Sequence, residues 1–218
     1  MTHPRYTRLL DSLPSTVPFV GPEVIERTTG QPFSARLGAN ENIFGPSPKA
    51  LEALRQADAE IWKYPDSASH DLKSEIAAQN GIAPENIVIG EGVDGLLGYL
   101  ARMMIEQGDT VVASDGAYPT FHYHVAGFGG VLHKVPFKDD FEDLDALIIR
   151  AAEVDAKLIY LSNPDNPMGT YLSGTTITDA LDRLPEGCLM ILDEAYIELA
   201  PTDARADIAT EDPRVIRM

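Results

Sequence analysis

Between Ile87 and Ile216, short apolar runs rich in Val, Ile and Leu alternate with stretches of helical spacing, and this alternation constrains the fold more than any other feature of the chain. Ile87-Val88-Ile89, Val111-Val112-Ala113, Val131 to Val135, Leu158-Ile159-Tyr160-Leu161 and Leu189-Met190-Ile191-Leu192 read as strands, and Val215-Ile216 begins another. Helices are predicted over Val93 to about Glu106, in a short stretch that follows the aromatic loop Tyr118-Pro119-Thr120-Phe121 and ends near Gly127-Gly130, over Leu144 to Ala152 and over Thr175 to Leu184. Strands alternating with helices need crossovers of one hand, so the expected class is α/β: a mostly parallel sheet with helices on both faces, in three layers. Upstream, Ser47-Pro48 opens a helix that runs to about Glu60, with Ser able to cap and Leu51, Leu54 and Ala57 on one face. Trp62 to Pro65 breaks it, and a second helix spans about Ser69 to Gln79 before Asn80-Gly81. Residues 1–45 hold Pro and Thr without sustained periodicity, which predicts an arm crossing a surface.

At 218 residues and 44% apolar content the chain can bury one sizeable core. The net charge of −17, with only 17 Lys and Arg dispersed along the sequence, argues against nucleic acid or an anionic membrane as partner. A small-molecule ligand is the better expectation. No apolar run approaches the ~20 residues that cross a bilayer, and Met1 to Arg5 lacks the apolar core of a signal peptide, so a soluble cytoplasmic protein is expected. Cys188 is the single cysteine, which excludes an intrachain disulfide and predicts a buried, inert thiol.

Parallel sheets bind ligands beyond the carboxyl ends of their strands. Segments leaving such ends are Gly90-Glu91-Gly92-Val93-Asp94, Asn163 to Gly169, and Asp193 to Tyr196. The glycine turn before a helix offers free N–H groups where a phosphate is favoured, although tight backbone geometry alone also accounts for it. Asn166 stands between two prolines, which either fix its amide as a donor or simply stiffen a turn. The Asp193 carboxylate closes an apolar strand and needs a cationic or donor partner to stay ionised. A protonated ring nitrogen is one such partner, and Tyr196 could bond an oxygen on the same ring. With a phosphate at the glycine turn and Tyr118 as a flat face for stacking, these groups describe pyridoxal 5′-phosphate. His122 and His124 are too splayed on a helix to make a metal pair, and the runs Asp139-Asp140 and Glu142-Asp143 read as a solvated turn and a helix start.

Leu37 to Asn42, Lys63-Tyr64-Pro65, Gly92-Val93-Asp94, Asn163-Pro164-Asp165-Asn166-Pro167-Met168-Gly169 and Asp193-Glu194-Ala195-Tyr196-Ile197-Glu198 together resemble, in order and spacing, the histidinol-phosphate aminotransferases of the class I/II pyridoxal-phosphate aminotransferases. The resemblance covers about 37 to 218. It implies a fold-type I large domain over 46–218, incomplete at its C-terminal end, preceded by the arm over 1–45. It further implies that Val93 and Asp94 hold the cofactor phosphate through backbone N–H groups, that Tyr118 stacks on the ring, that Asn166 and Tyr196 bond its O3′, and that Asp193 pairs with its N1. Phe121 is the alternative stacking residue. Tyr64 would reach the phosphate in the other subunit of a homodimer. Asp165 and Met168 replace the Asn and Thr usual in the family, and Gly95 stands where Glu is frequent.

The activity so implied is transamination of an amino acid or a histidinol-phosphate-like amino-phosphate with a 2-oxo acid acceptor. A decarboxylase of the same fold and a non-catalytic binding module are the alternatives. The family's Schiff-base lysine follows the strand that Val215-Ile216 begins, beyond Met218. The chain is therefore expected to be part of a longer enzyme and inactive by itself.

Overall fold

Five strands, all parallel, form the sheet: β1 (Thr110–Asp115), β2 (Val131–Pro136), β3 (Leu158–Ser162), β4 (Leu189–Asp193) and β5 (Val215–Arg217), in spatial order β2-β1-β3-β4-β5. The computed structural model describes residues 4–13 and 20–218. Its contacts divide into two units, Thr16–Asn80 and Gly81–Met218 with Met1–Ser15.

The helices before the sheet are α1 (Arg8–Ser12), α2 (Pro22–Thr29), α3 (Pro48–Ala57) and α4 (His70–Asn80). The first two lie within the stretch expected to be an arm, and neither buries a residue. Each is short and locally specified: Thr7 caps α1 by accepting from the Leu10 N–H, and α2 is bracketed by Pro22 and by Gly30 in the left-handed conformation. The rest of that expectation, over 1–3 and 14–19, lies outside the described residues. Ser47 precedes α3 as predicted but makes no side-chain cap bond.

After β-strand-like Ile87 the expected first strand is absent: Ile87 has extended backbone, yet no strand among the described residues pairs with 87–89, and without a ladder its N–H and C=O groups form no sheet. The helices α5 (Gly92–Met104), α6 (Pro119–Gly127), α7 (Leu144–Val154) and α8 (Gly174–Leu181) follow. Period-2 alternation then sorts the strands into two faces. Val111, Ala113, Leu158, Tyr160 and Ile191 pack with Leu97 and Ala101 of α5 and with Phe121 and Val125 of α6. Val112, Ile159, Leu161, Met190 and Leu192 pack with Leu147 and Ala151 of α7 and with Ile177 and Ala180 of α8. Both faces are covered, giving the three layers.

From β1 the chain steps outward to β2 across the α6 face, then back past β1 to β3 across the α7 face. A change of direction with a change of face keeps one crossover hand. The reversal puts the switch point between the carboxyl ends of β1 and β3, and on the other side of β3 the register sets Ser162 beside Asp193 on β4. Beyond β3, Gly174 opens α8 with its Cα so near the Arg205 carbonyl that a Cβ would lie 1.9 Å from that oxygen, which fixes glycine there.

Candidate active site

Asp193 ends β4 almost fully buried, at 5% exposure. Its Oδ2 accepts a 2.6 Å bond from the Tyr160 hydroxyl, and its Oδ1 accepts the Ala195 N–H at 3.1 Å. Burial pushes the carboxyl above the usual aspartate value and the charge of Asp94 adds to this, while the two donors pull the other way. Both donors are neutral. A cation brought to Asp193 would relieve the burial penalty, which is the electrostatic property a protonated ring nitrogen requires.

Tyr160 was not anticipated. It lies in the middle of β3, wholly buried, with its phenol raised well above the ordinary value by burial and then by Asp193. Its one available signal is a hydroxyl inside an otherwise aliphatic strand, since a buried phenol needs a partner. The Tyr160 ring stacks on Phe121, with centroids 4.9 Å apart and planes 20° apart. Phe121 is thus fully buried and already has a ring on its face. Tyr118, the residue before α6, is half-buried, and its phenol is raised by burial first, with Asp94 and Tyr196 close enough to contribute.

Asp94, Tyr118, Asp193 and Tyr196 are therefore brought together, although they come from three separate loops. Val93 and Asp94 form the first turn of α5, where Gly92 takes a φ of 72° with open space around it and Glu91 supplies no side-chain cap. The first N–H groups of that helix are left for a ligand. Gly95 has a visible counterpart: the Glu91 carboxylate folds back against it and accepts a 2.8 Å bond from the Tyr99 hydroxyl, so a Cβ at position 95 would meet Glu91 Oε2. Tyr64 belongs to the Thr16–Asn80 unit, where its side chain is 98% exposed.

The loop bearing Asn166 is held from both sides. Asn163 Nδ2 donates to the carbonyls of Leu172 and Ala204, its Oδ1 accepts the Leu172 N–H at 2.7 Å, and its own N–H donates to the Asp193 carbonyl at 2.8 Å. Both Asn–Pro bonds of this loop are cis, and Asn166 itself is half-buried. The turn after Asp193 is pinned by Arg217, whose Nε donates to Glu194 Oε2 at 2.6 Å and whose Nη2 donates to Oε1 at 3.1 Å. Glu194 is buried, which makes a bidentate guanidinium the fitting partner.

Part of the acidic 139–143 run contradicts the solvated reading. Asp139 and Asp140 make an exposed left-handed turn and Asp143 caps α7, but Glu142 is 4% exposed, because the ends of β1 and β3 supply donors for it. Nothing in an acidic run distinguishes the one member that turns inward. Cys188 is buried as expected, with burial raising its thiol to about 11.

The family model for aminotransferase class I and II matches residues 35–217. Histidinol-phosphate aminotransferase 2 of Carboxydothermus hydrogenoformans is 35% identical over 193 residues, 88% of this chain and 53% of that protein. The histidinol-phosphate aminotransferase of an Anaeromyxobacter species is 38% identical over 188 residues, 86% of this chain and 51% of its own. The chain spans about half the length of these curated relatives. Among solved structures, histidinol-phosphate aminotransferase from Sinorhizobium meliloti in complex with pyridoxal-5′-phosphate superposes with a TM-score of 0.94 at 50% identity, covering 99% of this chain and 58% of that one.

Proposed function

The chain belongs to the class I and II aminotransferase family, and from that premise we propose that the intact protein moves the amino group of a histidinol-phosphate-like amino-phosphate, or of an amino acid, to a 2-oxo acid with pyridoxal 5′-phosphate as cofactor. The observation that carries this reading is the buried Asp193, clamped by neutral donors and facing the Asp94, Tyr118 and Tyr196 cluster. No decarboxylase stands among the relatives described above.

When bound, the cofactor supplies an electron sink for the substrate's Cα. Asp193 keeps a proton on the ring nitrogen, and Tyr160 and Ala195 hold its carboxylate in the one orientation that serves. The N–H groups of Val93 and Asp94 bind the phosphate, with the α5 dipole behind them. Tyr118, rather than the buried Phe121, offers its ring face to the cofactor, and Asn166 and Tyr196 bond the ring oxygen. Residues 46–218 act as the cofactor-binding domain and 1–45 as an arm. The assembly is a homodimer in which Tyr64 of the partner subunit reaches the phosphate. In support, Phe44, Ile61, Trp62 and Tyr64 are 77–98% exposed, more apolar surface than a monomer usually leaves. Among the described residues no helix is long and apolar enough to cross a membrane, in keeping with a cytoplasmic enzyme.

The test is a panel of amino-phosphates and amino acids assayed with 2-oxoglutarate and the intact protein, alongside visible absorbance on adding pyridoxal phosphate. Cofactor binding with turnover of at least one amino-phosphate is expected. Failure to bind the cofactor overturns the reading. The shared site has its own check: Tyr64→Phe and Asp193→Asn proteins mixed into heterodimers should regain activity, and heterodimers that regain none would remove Tyr64 from the site.

A further inference from the structure

Behind the Asn166 loop lies a pair of buried acids that the chemistry above does not use. Glu142 Oε1 accepts the Ser162 N–H at 2.8 Å, and its Oε2 lies 2.5 Å from Ser114 Oγ. Asp165 is likewise 4% exposed, and its Oδ2 accepts the Met168 N–H at 2.8 Å. The Asp165 Oδ1 is buried without a hydrogen-bond partner, and the carboxyl groups of Glu142 and Asp165 lie within reach of each other. Two carboxylates in this position repel each other, and both are buried. One proton between them converts the repulsion into an O–H···O bond and gives the orphaned oxygen its donor.

We propose that Glu142 is held as the neutral acid, that its O–H donates to Asp165 Oδ1, and that this shared proton is a positioning device tying the ends of β1 and β3 to the 163–169 loop and so setting Asn166. The last step, from loop to Asn166, rests on the cofactor site proposed above. The loop is gripped on both sides of Asn166: Asp165 is its chain neighbour, and the Met168 N–H that Asp165 accepts lies two residues beyond. The Thr170 hydroxyl also donates to the Asp140 carbonyl at 2.8 Å, joining the same two segments. Burial, and after it the charge of Asp165, pushes Glu142 up to about 8, whereas Asp165 is raised less decisively because the Met168 N–H and Glu142 pull it down. The proton therefore sits on Glu142. The groups facing it are Ser114 from β1, Tyr160 and Ser162 from β3, and Asp165 from the loop. Tyr160 stays neutral well past the point where Glu142 titrates, so above that pH two anions face each other and the loop loosens.

An amide at either position supplies the experiment. In Glu142→Gln an amide N–H replaces the acid O–H, and in Asp165→Asn the amide donates in the reverse direction to an ionised Glu142. Infrared spectra of the intact protein at pH 6 should show the carbonyl stretch of an un-ionised acid in the wild type and lose it in both variants. The Met168 amide should stay protected from hydrogen exchange in both, yet exchange about tenfold faster in Glu142→Ala, the scale of one lost buried hydrogen bond. In the wild type alone, protection should fall above pH 8 beyond the intrinsic rise in exchange rate. A spectrum unchanged by either amide variant overturns the proposal, as does a Glu142→Gln protein that exchanges like Glu142→Ala. The infrared and exchange readouts need no cofactor. A protein that passes them but binds no pyridoxal phosphate upholds the acid pair and removes only the site reading.

Discussion

The two ends of the sheet carry the same residue types and treat them in opposite ways. Where β1 and β3 begin, Lys157 Nζ donates to Asp109 at 2.6 Å, and this bond, with the Glu106 N–H, holds the Asp109 carboxyl below its ordinary value while raising Lys157. A cleft of ≈ 430 Å³ opens there, lined among others by Asp109, Asp155, Lys157 and Gly187. Where the strands end, Asp193, Glu142 and Asp165 are buried, take bonds from neutral groups and are all raised. What distinguishes this end is acids whose burial has not been offset by a cation, and such unpaid electrostatics mark a place where a charged ligand completes the structure.

Asparagine at each end tests the contrast most severely. Asp193→Asn in the intact protein should cut transamination by on the order of 10²–10³-fold while leaving the circular dichroism spectrum unchanged, since an amide cannot hold the ring proton. Asp109→Asn should leave turnover at the wild-type level. Equal losses in both would erase the distinction. Next in size is Tyr160→Phe, which leaves Asp193 Oδ2 buried without its donor and should cost about 1–3 kcal/mol in urea unfolding. An unchanged midpoint would mean that the phenol contributes no more than its ring.

The ends should also differ in the sign of their pH dependence. Glu142 has a folded value near 8 against 4.5 in an unfolded chain, so its contribution to stability is fully present below 4.5 and is lost as pH rises through about 8. Asp109 is lowered, so its contribution is present above the ordinary value of 3.8 and is lost as pH falls below it. Melting temperatures across pH 3–9 should therefore flatten between about 4.5 and 8 in Glu142→Gln and below about 3.8 in Asp109→Asn. The acid-side effect should be the smaller, because solvent reaches and screens this half-buried pair. A Glu142→Gln profile that parallels the wild type would show that Glu142 ionises normally.

The central strands β1, β3 and β4 were legible because each carries a short apolar run, and a parallel sheet buried on both faces needs such runs. Asp193 was legible for the same reason: a carboxylate that ends an apolar run is conspicuous. Ile87-Val88-Ile89 has the same composition and forms no strand, since pairing depends on a neighbour that local sequence does not describe. Tyr160 was hidden by its own strand, where one phenol among aliphatic residues reads as packing. Glu142 and Arg217 were illegible for another cause. Their partners lie 20 and 23 residues away, and only the folded sheet brings them together.

The Arg217 clamp on Glu194 has a consequence in time. On a ribosome, Tyr160 emerges before Asp193, so the hydroxyl that orients the carboxylate is waiting when β4 arrives. Glu194 has no such provision: its guanidinium is synthesised 23 residues later, roughly 1–5 s at ordinary elongation rates. That clamp closes only after the strand that carries Arg217 has been made.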